Sequence, residues 1–178
     1  MWKSRNTRCI FSPAEGGGCL ADIIDGIRPV CAVEIEDYQQ RILAARFPDM
    51  PIWDDVRTFR ADNPECAGAI EDLRGHAHEL VISGGFPCQD ISSAGKGAGI
   101  GGARSGLWKE YARIIREIRP RFVFVENSPL LVSRGLGIVL ADLAAMGYHG
   151  AWGVLSASAV GARHRRDRFW GLFRGGGV

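Results

Sequence analysis

Short apolar runs alternate along the chain with stretches whose apolar positions follow a helical spacing. The spacing predicts helices over 37–46, 107–118 and 135–146. The runs that predict strands are 8–12, 29–33, 51–53, 79–83 and 122–125. From about residue 149 the pattern predicts two strands joined near Gly161, as in a hairpin. Strands alternating with helices predict an α/β fold, a three-layer αβα sheet that is mostly parallel and ends in an antiparallel hairpin.

Two stretches do not fit this alternation. Residues 60–78 are polar and predict no regular element, and residues 84–106 are rich in Gly, Ser and Ala. A loop as long as 84–106, about twenty residues without periodicity, usually has a function in a compact domain. It contains Cys88, which follows the apolar run 80–82 and the pair Gly84-Gly85. We therefore expect a potential nucleophile at the carboxyl edge of a parallel sheet, where α/β enzymes usually place their chemistry.

Composition narrows the class of protein. The 178 residues suit one domain, 1–178, with 46% hydrophobic and 24% charged residues. No apolar run is long enough to span a membrane as a helix, so we expect no membrane partner. None of the five cysteines forms a C-x-x-C pair, so we predict no metal site. Residues 1–80 hold 9 Lys/Arg and 14 Asp/Glu, whereas residues 81–178 hold 13 Lys/Arg and 6 Asp/Glu. The basic second half is suited to bind a polyanion, or it simply has a solvated basic face.

Acidic residues follow the second and third predicted strands. Glu34 and Asp55 lie at these strand ends, and the turn Gly16-Gly17-Gly18 follows the first strand. Glycines let a ligand approach the backbone closely, and such an acid can accept hydrogen bonds from ribose hydroxyls. The pattern indicates a nucleotide-like pocket, although many α/β proteins carry glycines and acids at these points without one.

Taken in chain order, four motifs resemble the cytosine-C5 methyltransferase family. They are Phe11-Ser12 with Gly16-Gly17, Pro87-Cys88-Gln89, Glu126-Asn127 and Arg166-Asp167-Arg168. The family pattern has Gln where this chain has His164 and Val where it has Ser128, and its glycine turn is one residue shorter. The resemblance covers roughly residues 8–173.

The resemblance implies a Rossmann-like sheet that binds S-adenosyl-L-methionine. It implies that Phe11 packs on the adenine, that Glu34 binds the ribose and that Asp55 accepts from the adenine amino group. The other residues that the resemblance assigns to this pocket are Ser12, Gly16, Gly17, Ile35, Val56 and Pro87.

The resemblance also implies a catalytic set: Cys88 as nucleophile at cytosine C6, Glu126 as acid at N3, and Arg166 and Arg168 at O2 and the flanking phosphate. Glu126 ends an apolar strand, where desolvation favours its protonated form. Residues implied to contact the substrate are Gln89, Ser92, Arg104 and Asn127.

The expected activity is that of a DNA (cytosine-5)-methyltransferase of a restriction-modification or phage system. Its partner would be duplex DNA with the target cytosine flipped out, in the cytoplasm of a bacterial or phage-infected cell. Family members continue past the arginine motif into a target-recognition region, so the chain is expected to be truncated and to lack that domain. Two alternatives stay open: an impaired or split-enzyme subunit that needs a second polypeptide for recognition, and a tRNA cytosine methyltransferase. The sequence predicts no oligomeric state.

Overall fold

One twisted sheet organises the part of the chain that the structure describes. A computed structural model describes residues 28–86 and 106–176 in full, and residues 7–12 and Ile27 by their backbone alone. The strands are β1 (Thr7–Ser12), β2 (Ile27–Val33), β3 (Ile52–Trp53), β4 (Leu80–Gly85), β5 (Phe122–Asn127), β6 (Tyr148–Ser156) and β7 (Asp167–Gly175). The helices are α1 (Asp37–Arg46), α2 (Ala67–Gly75), α3 (Leu107–Ile118), α4 (Leu131–Arg134) and α5 (Leu136–Ala145).

The strand order across the sheet is β3-β2-β1-β4-β5-β7-β6. Neighbours from β3 to β5 pair in parallel, whereas β7 is antiparallel to both β5 and β6. The mostly parallel sheet with a C-terminal antiparallel hairpin is therefore confirmed. Because the first five strands run in one direction, their carboxyl ends meet at one edge of the sheet.

The main core lies between one face of the sheet and helices α2, α3 and α5. Along β5 buried residues alternate with partly exposed ones, so Val123 and Val125 face this core. Six residues of α3 are buried, which makes it strongly amphipathic. Phe169 and Phe173 of β7 join the same cluster. Each large apolar side chain buried in this way contributes about 1.5–3 kcal/mol.

The structure refines the predicted elements at two places. A helix, α2, occupies 67–75, where the polar sequence predicted no regular element. Strands β4 and β5 each run two residues further than predicted, to Gly85 and Asn127, so that Glu126 belongs to the sheet ladder. The predicted turn Gly16-Gly17-Gly18 and the segment 87–105 lie outside the described residues. No helix in the described ranges is long and apolar enough to cross a bilayer.

Candidate active site at the carboxyl edge of the sheet

Three strand ends meet at the centre of the sheet edge. Gly85 at the end of β4 lies opposite Glu126 of β5, and Glu126 in turn lies opposite Trp170 of β7. Cys88 follows Gly85 by three residues in the sequence and lies outside the described residues. The register thus places the predicted acid next to the strand that leads to the predicted nucleophile.

Glu126 and Arg168 form an ion pair across β5 and β7. The Arg168 Nε lies 2.9 Å from the Glu126 Oε1, and the two side chains are 26% and 36% exposed respectively. Arg168 also donates from Nη1 to the backbone oxygen of Asp167 at 3.0 Å. Two residues that the family resemblance placed in one catalytic set are therefore neighbours, joined by an ion pair.

The surroundings of Glu126 combine partial burial with a neighbouring cation. About a third of its side-chain surface is exposed, and the Arg168 guanidinium lies beside it. That its carboxyl is protonated, as desolvation at the end of an apolar strand would favour, stays a prediction.

Asn127 was predicted to contact the substrate, but the structure uses its side chain to hold the backbone. Only 2% of the residue is exposed. Its Nδ2 donates to the backbone oxygen of Phe86 at 3.1 Å, and its Oδ1 accepts from the N–H of Ser128 at 2.8 Å. Because Phe86 directly precedes Pro87-Cys88, Asn127 fixes the point from which the cysteine segment departs.

A run of basic side chains precedes β7 on the connection from β6. Arg163, His164, Arg165 and Arg166 are all exposed. The Arg165 Nε lies 3.3 Å from a carboxylate oxygen of Asp167. Arg166 is the last exposed residue of this run before β7 begins at Asp167, and its assigned role at a phosphate stays a prediction.

On the cofactor side, Glu34 directly follows β2 and is 4% exposed. Its Oε1 accepts from the N–H of Glu36 at 2.9 Å, whereas its Oε2 is buried and has no hydrogen-bond partner among the described residues. Burial raises the pKa of this carboxyl above its ordinary value, and the hydrogen bond from Glu36 opposes the shift. A buried acceptor without a donor suits a ligand that brings hydroxyl groups.

Neighbouring backbone contacts fix Glu34 in place. Its N–H donates to the backbone oxygen of Trp53 at 2.8 Å, and Gln40 donates from Nε2 to the Glu34 backbone oxygen at 2.6 Å. Ile35, also predicted to line the pocket, is 62% exposed beside it. An exposed aliphatic side chain next to a buried acid can cover a flat ring while the acid holds a sugar.

Asp55 begins a tight turn after β3. Its Oδ1 accepts from the N–H of Arg57 at 2.9 Å, and its Oδ2 lies 3.4 Å from the Arg57 guanidinium. The following residue, Val56, packs partly against the main core. Strands β2 and β3 are neighbours, so Glu34 and Asp55 belong to the same sheet edge, as predicted.

The remaining predicted site residues are not described by side chain. Phe11 and Ser12 end β1, where their backbone pairs with β4 opposite Ser83 and Gly84. The others lie outside the described residues: Gly16, Gly17, Pro87, Cys88, Gln89, Ser92 and Arg104. Their assigned roles stay predictions.

The two cysteines described in the structure are buried free thiols. Burial raises the pKa of Cys31 to about 12, so this thiol is not ionised near neutrality. The Cys66 sulfur lies among backbone groups of the 58–63 turn, 3.0 Å from the oxygen of Arg60. Within the described ranges no group of three or more His, Cys, Asp or Glu side chains is arranged to hold a metal ion.

The strand order defines a Rossmann-like sheet, with acidic residues at its carboxyl edge and an acid–arginine pair where β5 meets β7. The chain belongs to the C-5 cytosine-specific DNA methylase family, whose pattern matches residues 15–172. This family assignment confirms the resemblance drawn from the motifs.

Curated relatives and solved structures agree with this assignment. The chain is 35% identical over 159 residues to the type II methyltransferase M.CviJI of Paramecium bursaria Chlorella virus IL3A, a match that covers 86% of this chain and 40% of that protein. It is 33% identical over 143 residues to the type II methyltransferase M2.BsuMI of Bacillus subtilis, covering 76% and 33%. The S. pombe Dnmt2 methyltransferase shares the fold with a TM-score of 0.71 at 19% identity, over 97% of this chain and 52% of that one. The chain thus spans less than half the length of these two curated relatives.

Proposed function

We propose that this chain transfers a methyl group from S-adenosyl-L-methionine to C5 of cytosine in DNA, within a restriction-modification or phage modification system. The observation that carries the proposal is the Glu126–Arg168 pair, 2.9 Å apart, at the sheet edge where β4 leads into the Pro87-Cys88-Gln89 motif. Membership of the C-5 cytosine-specific DNA methylase family and similarity to type II methyltransferases support it.

The residues present fit the cofactor. The buried Glu34 Oε2, which has no donor among the described residues, would accept from the ribose hydroxyls. Ile35 would cover the adenine ring, and Asp55 would accept from its amino group. When bound, S-adenosyl-L-methionine supplies an electrophilic methyl group.

The chain's own residues would then activate a base that is otherwise a poor nucleophile. The Cys88 thiolate adds to C6 of a flipped cytosine, forming a sulfur–carbon bond and moving the ring electrons onto C5. In its protonated form, Glu126 donates a hydrogen bond to N3 and stabilises the negative charge that this addition creates. Arg168 holds the O2 carbonyl, and Arg166 a flanking phosphate.

The covalent bond to Cys88 is temporary. After C5 has taken the methyl group, a base, for which water is one candidate, removes the C5 proton. The freed electron pair re-forms the C5–C6 double bond and expels the thiolate, so that the enzyme is regenerated. The ion pair found here suits this cycle, because Arg168 can keep the Glu126 carboxyl oriented before the cytosine enters.

Base-resolution mapping of 5-methylcytosine in cells that express this chain tests the proposal, with Cys88→Ser as the control. Methylation at a defined motif that disappears in Cys88→Ser is the expected result. Methylation that persists in Cys88→Ser would refute the assigned nucleophile. If DNA stays unmethylated while tRNA acquires 5-methylcytosine, the substrate is tRNA. If neither is modified, the chain alone is not a methyltransferase, and a subunit that needs a second polypeptide is the better description.

A further inference from the structure

The segment Asp55–Ala61 carries the proposed adenine acceptor and is folded as a compact turn. The N–H groups of Thr58 and Phe59 both donate to the backbone oxygen of Asp55, at 3.1 and 3.2 Å. The Phe59 ring is fully buried and lies 5.8 Å from that of Trp53. Phe59 also belongs to the main core, which ties the middle of the turn to the sheet.

Two side chains of helix α3 hold this turn from the outside. Arg113 donates from Nη2 to the backbone oxygen of Val56 at 2.8 Å, and the N–H of Ala61 donates to Glu117 Oε2 at 3.2 Å. Arg113 and Glu117 are themselves joined at 3.0 Å, and the Arg113 Nε lies 2.8 Å from Glu110 Oε2. Both ends of the turn are therefore bound to one ion-paired cluster.

The cluster is built for rigidity. The Arg113 side chain is 16% exposed and has an acceptor for each of its three nitrogens. A guanidinium is planar and presents its donors in a fixed fork, so three acceptors fix its orientation. Charge-assisted hydrogen bonds at this low exposure are stronger than neutral ones and less screened by solvent.

Helix α3 links this cluster to the catalytic half of the chain. The helix begins at Leu107, directly after the segment that carries Cys88. Arg113 thus joins the element that follows the nucleophile segment to the turn that carries Asp55. Methyl transfer requires the donor and the base to be held within close contact, and small misplacements cost large factors in rate.

We propose that Arg113 is a positioning residue for cofactor binding: it holds the Asp55–Ala61 turn at a fixed place against α3, so that Asp55 meets the adenine. This inference rests on the proposed function, because it assumes that Asp55 binds the cofactor. Arg113 itself does not touch the reacting atoms.

The test compares Arg113→Met, Arg113→Lys and Arg116→Met in the full chain. Arg116 is the matched control, since it lies on the same helix but is exposed. Hydrogen exchange of the peptide spanning 55–61 is measured without ligand, and the dissociation constant for S-adenosyl-L-methionine is measured by calorimetry. Arg113→Lys keeps the positive charge between Glu110 and Glu117, which guards against a variant that simply unfolds.

We expect faster exchange at 55–61 and about tenfold weaker cofactor binding in Arg113→Met, equivalent to about 1.4 kcal/mol. Arg113→Lys should fall between it and the wild type, because an ammonium lacks the fork, and Arg116→Met should match the wild type. If exchange at 55–61 is unchanged in a folded Arg113→Met protein, Arg113 does not hold the turn in place. If exchange is faster but cofactor affinity is unchanged, the position of the turn does not matter for cofactor binding. A wild type that binds no cofactor overturns the proposed cofactor site as well, so the two failures are told apart by the wild-type measurement.

Discussion

Replacing Asn127 with aspartate should destabilise the protein at neutral pH, because it places a carboxylate where the structure requires a donor. The Nδ2 of Asn127 faces the backbone oxygen of Phe86 at 3.1 Å, and both residues are buried. In Asn127→Asp an oxygen would face that carbonyl oxygen. Leaving a buried carbonyl without its donor costs about 1–3 kcal/mol, and an unpaired buried charge adds to this. We expect a loss of about 3 kcal/mol or more in the free energy of unfolding at pH 7.5.

The same substitution should be tolerated at acidic pH. A protonated aspartate regains an O–H that can donate to Phe86, while its other oxygen still accepts from the N–H of Ser128. Burial and the facing carbonyl raise the folded-state pKa of this new carboxyl above its unfolded value of about 3.9. For such a group stability is complete below the unfolded pKa and is lost as the pH rises through the folded pKa. The penalty should therefore be small near pH 4 and full at pH 7.5.

Urea denaturation followed by circular dichroism across this pH range measures the effect relative to the wild type. Asn63→Asp is the control, because Asn63 makes the same two kinds of bond in a more exposed setting. Its Nδ2 donates to the oxygen of Thr58 at 2.9 Å, and its Oδ1 accepts from the N–H of Glu65 at 3.1 Å. A pH-independent loss, or a loss no larger than that of Asn63→Asp, would refute the anchoring role of Asn127.

Two further predictions follow from titratable groups. Burial raises the pKa of Glu34 above its ordinary value of 4.5, and ribose hydroxyls that donate to it would favour the charged form. Cofactor affinity measured by calorimetry should therefore increase as the pH rises from 4.5 through the folded-state pKa of Glu34. The Glu34→Gln variant should bind the cofactor more weakly, and its affinity should depend less on pH. A pH profile of Glu34→Gln that matches the wild type would count against the ribose contact. Tyr148→Phe should cost about 1 kcal/mol at neutral pH, because it removes a 2.6 Å hydrogen bond to the backbone oxygen of Pro120. Burial raises the Tyr148 pKa from 10.0 to about 12, so wild-type thermal stability should fall as the pH rises above 10, and the variant should lack that part of the fall.

Elements with a strong local pattern were predictable from the sequence. The bounds of α1 and α3 match the predicted helices 37–46 and 107–118, and the apolar runs mark the strands. Helix α2 was not predicted, because only two of its residues, Ile70 and Leu73, are buried and so narrow an apolar face shows no helical periodicity in the sequence. Here tertiary packing against α3, rather than local pattern, determines the element.

The sequence predicts a site residue only where its type and its neighbours in the sequence indicate its role. The resemblance to the cytosine-C5 methyltransferase family placed Glu126 and Arg168 in one catalytic set, and the structure brings them together. The roles of Asn127 and Arg113 depend on backbone oxygens 41 and 57 residues away in the sequence. No local pattern records such distant partners, so a polar residue beside a motif was interpreted as a ligand contact when it holds the backbone.

The antiparallel direction of β7 is what allows the acid–arginine pair to form. Since β7 runs opposite to β5, its beginning lies beside the end of β5, and Arg168 near that beginning meets Glu126. In a parallel arrangement the start of β7 would lie at the opposite edge of the sheet, about 20 Å away for a strand of six residues. The C-terminal hairpin is therefore part of the site. A change that reversed or displaced β7 would separate the two groups even if every side chain of the motif were kept.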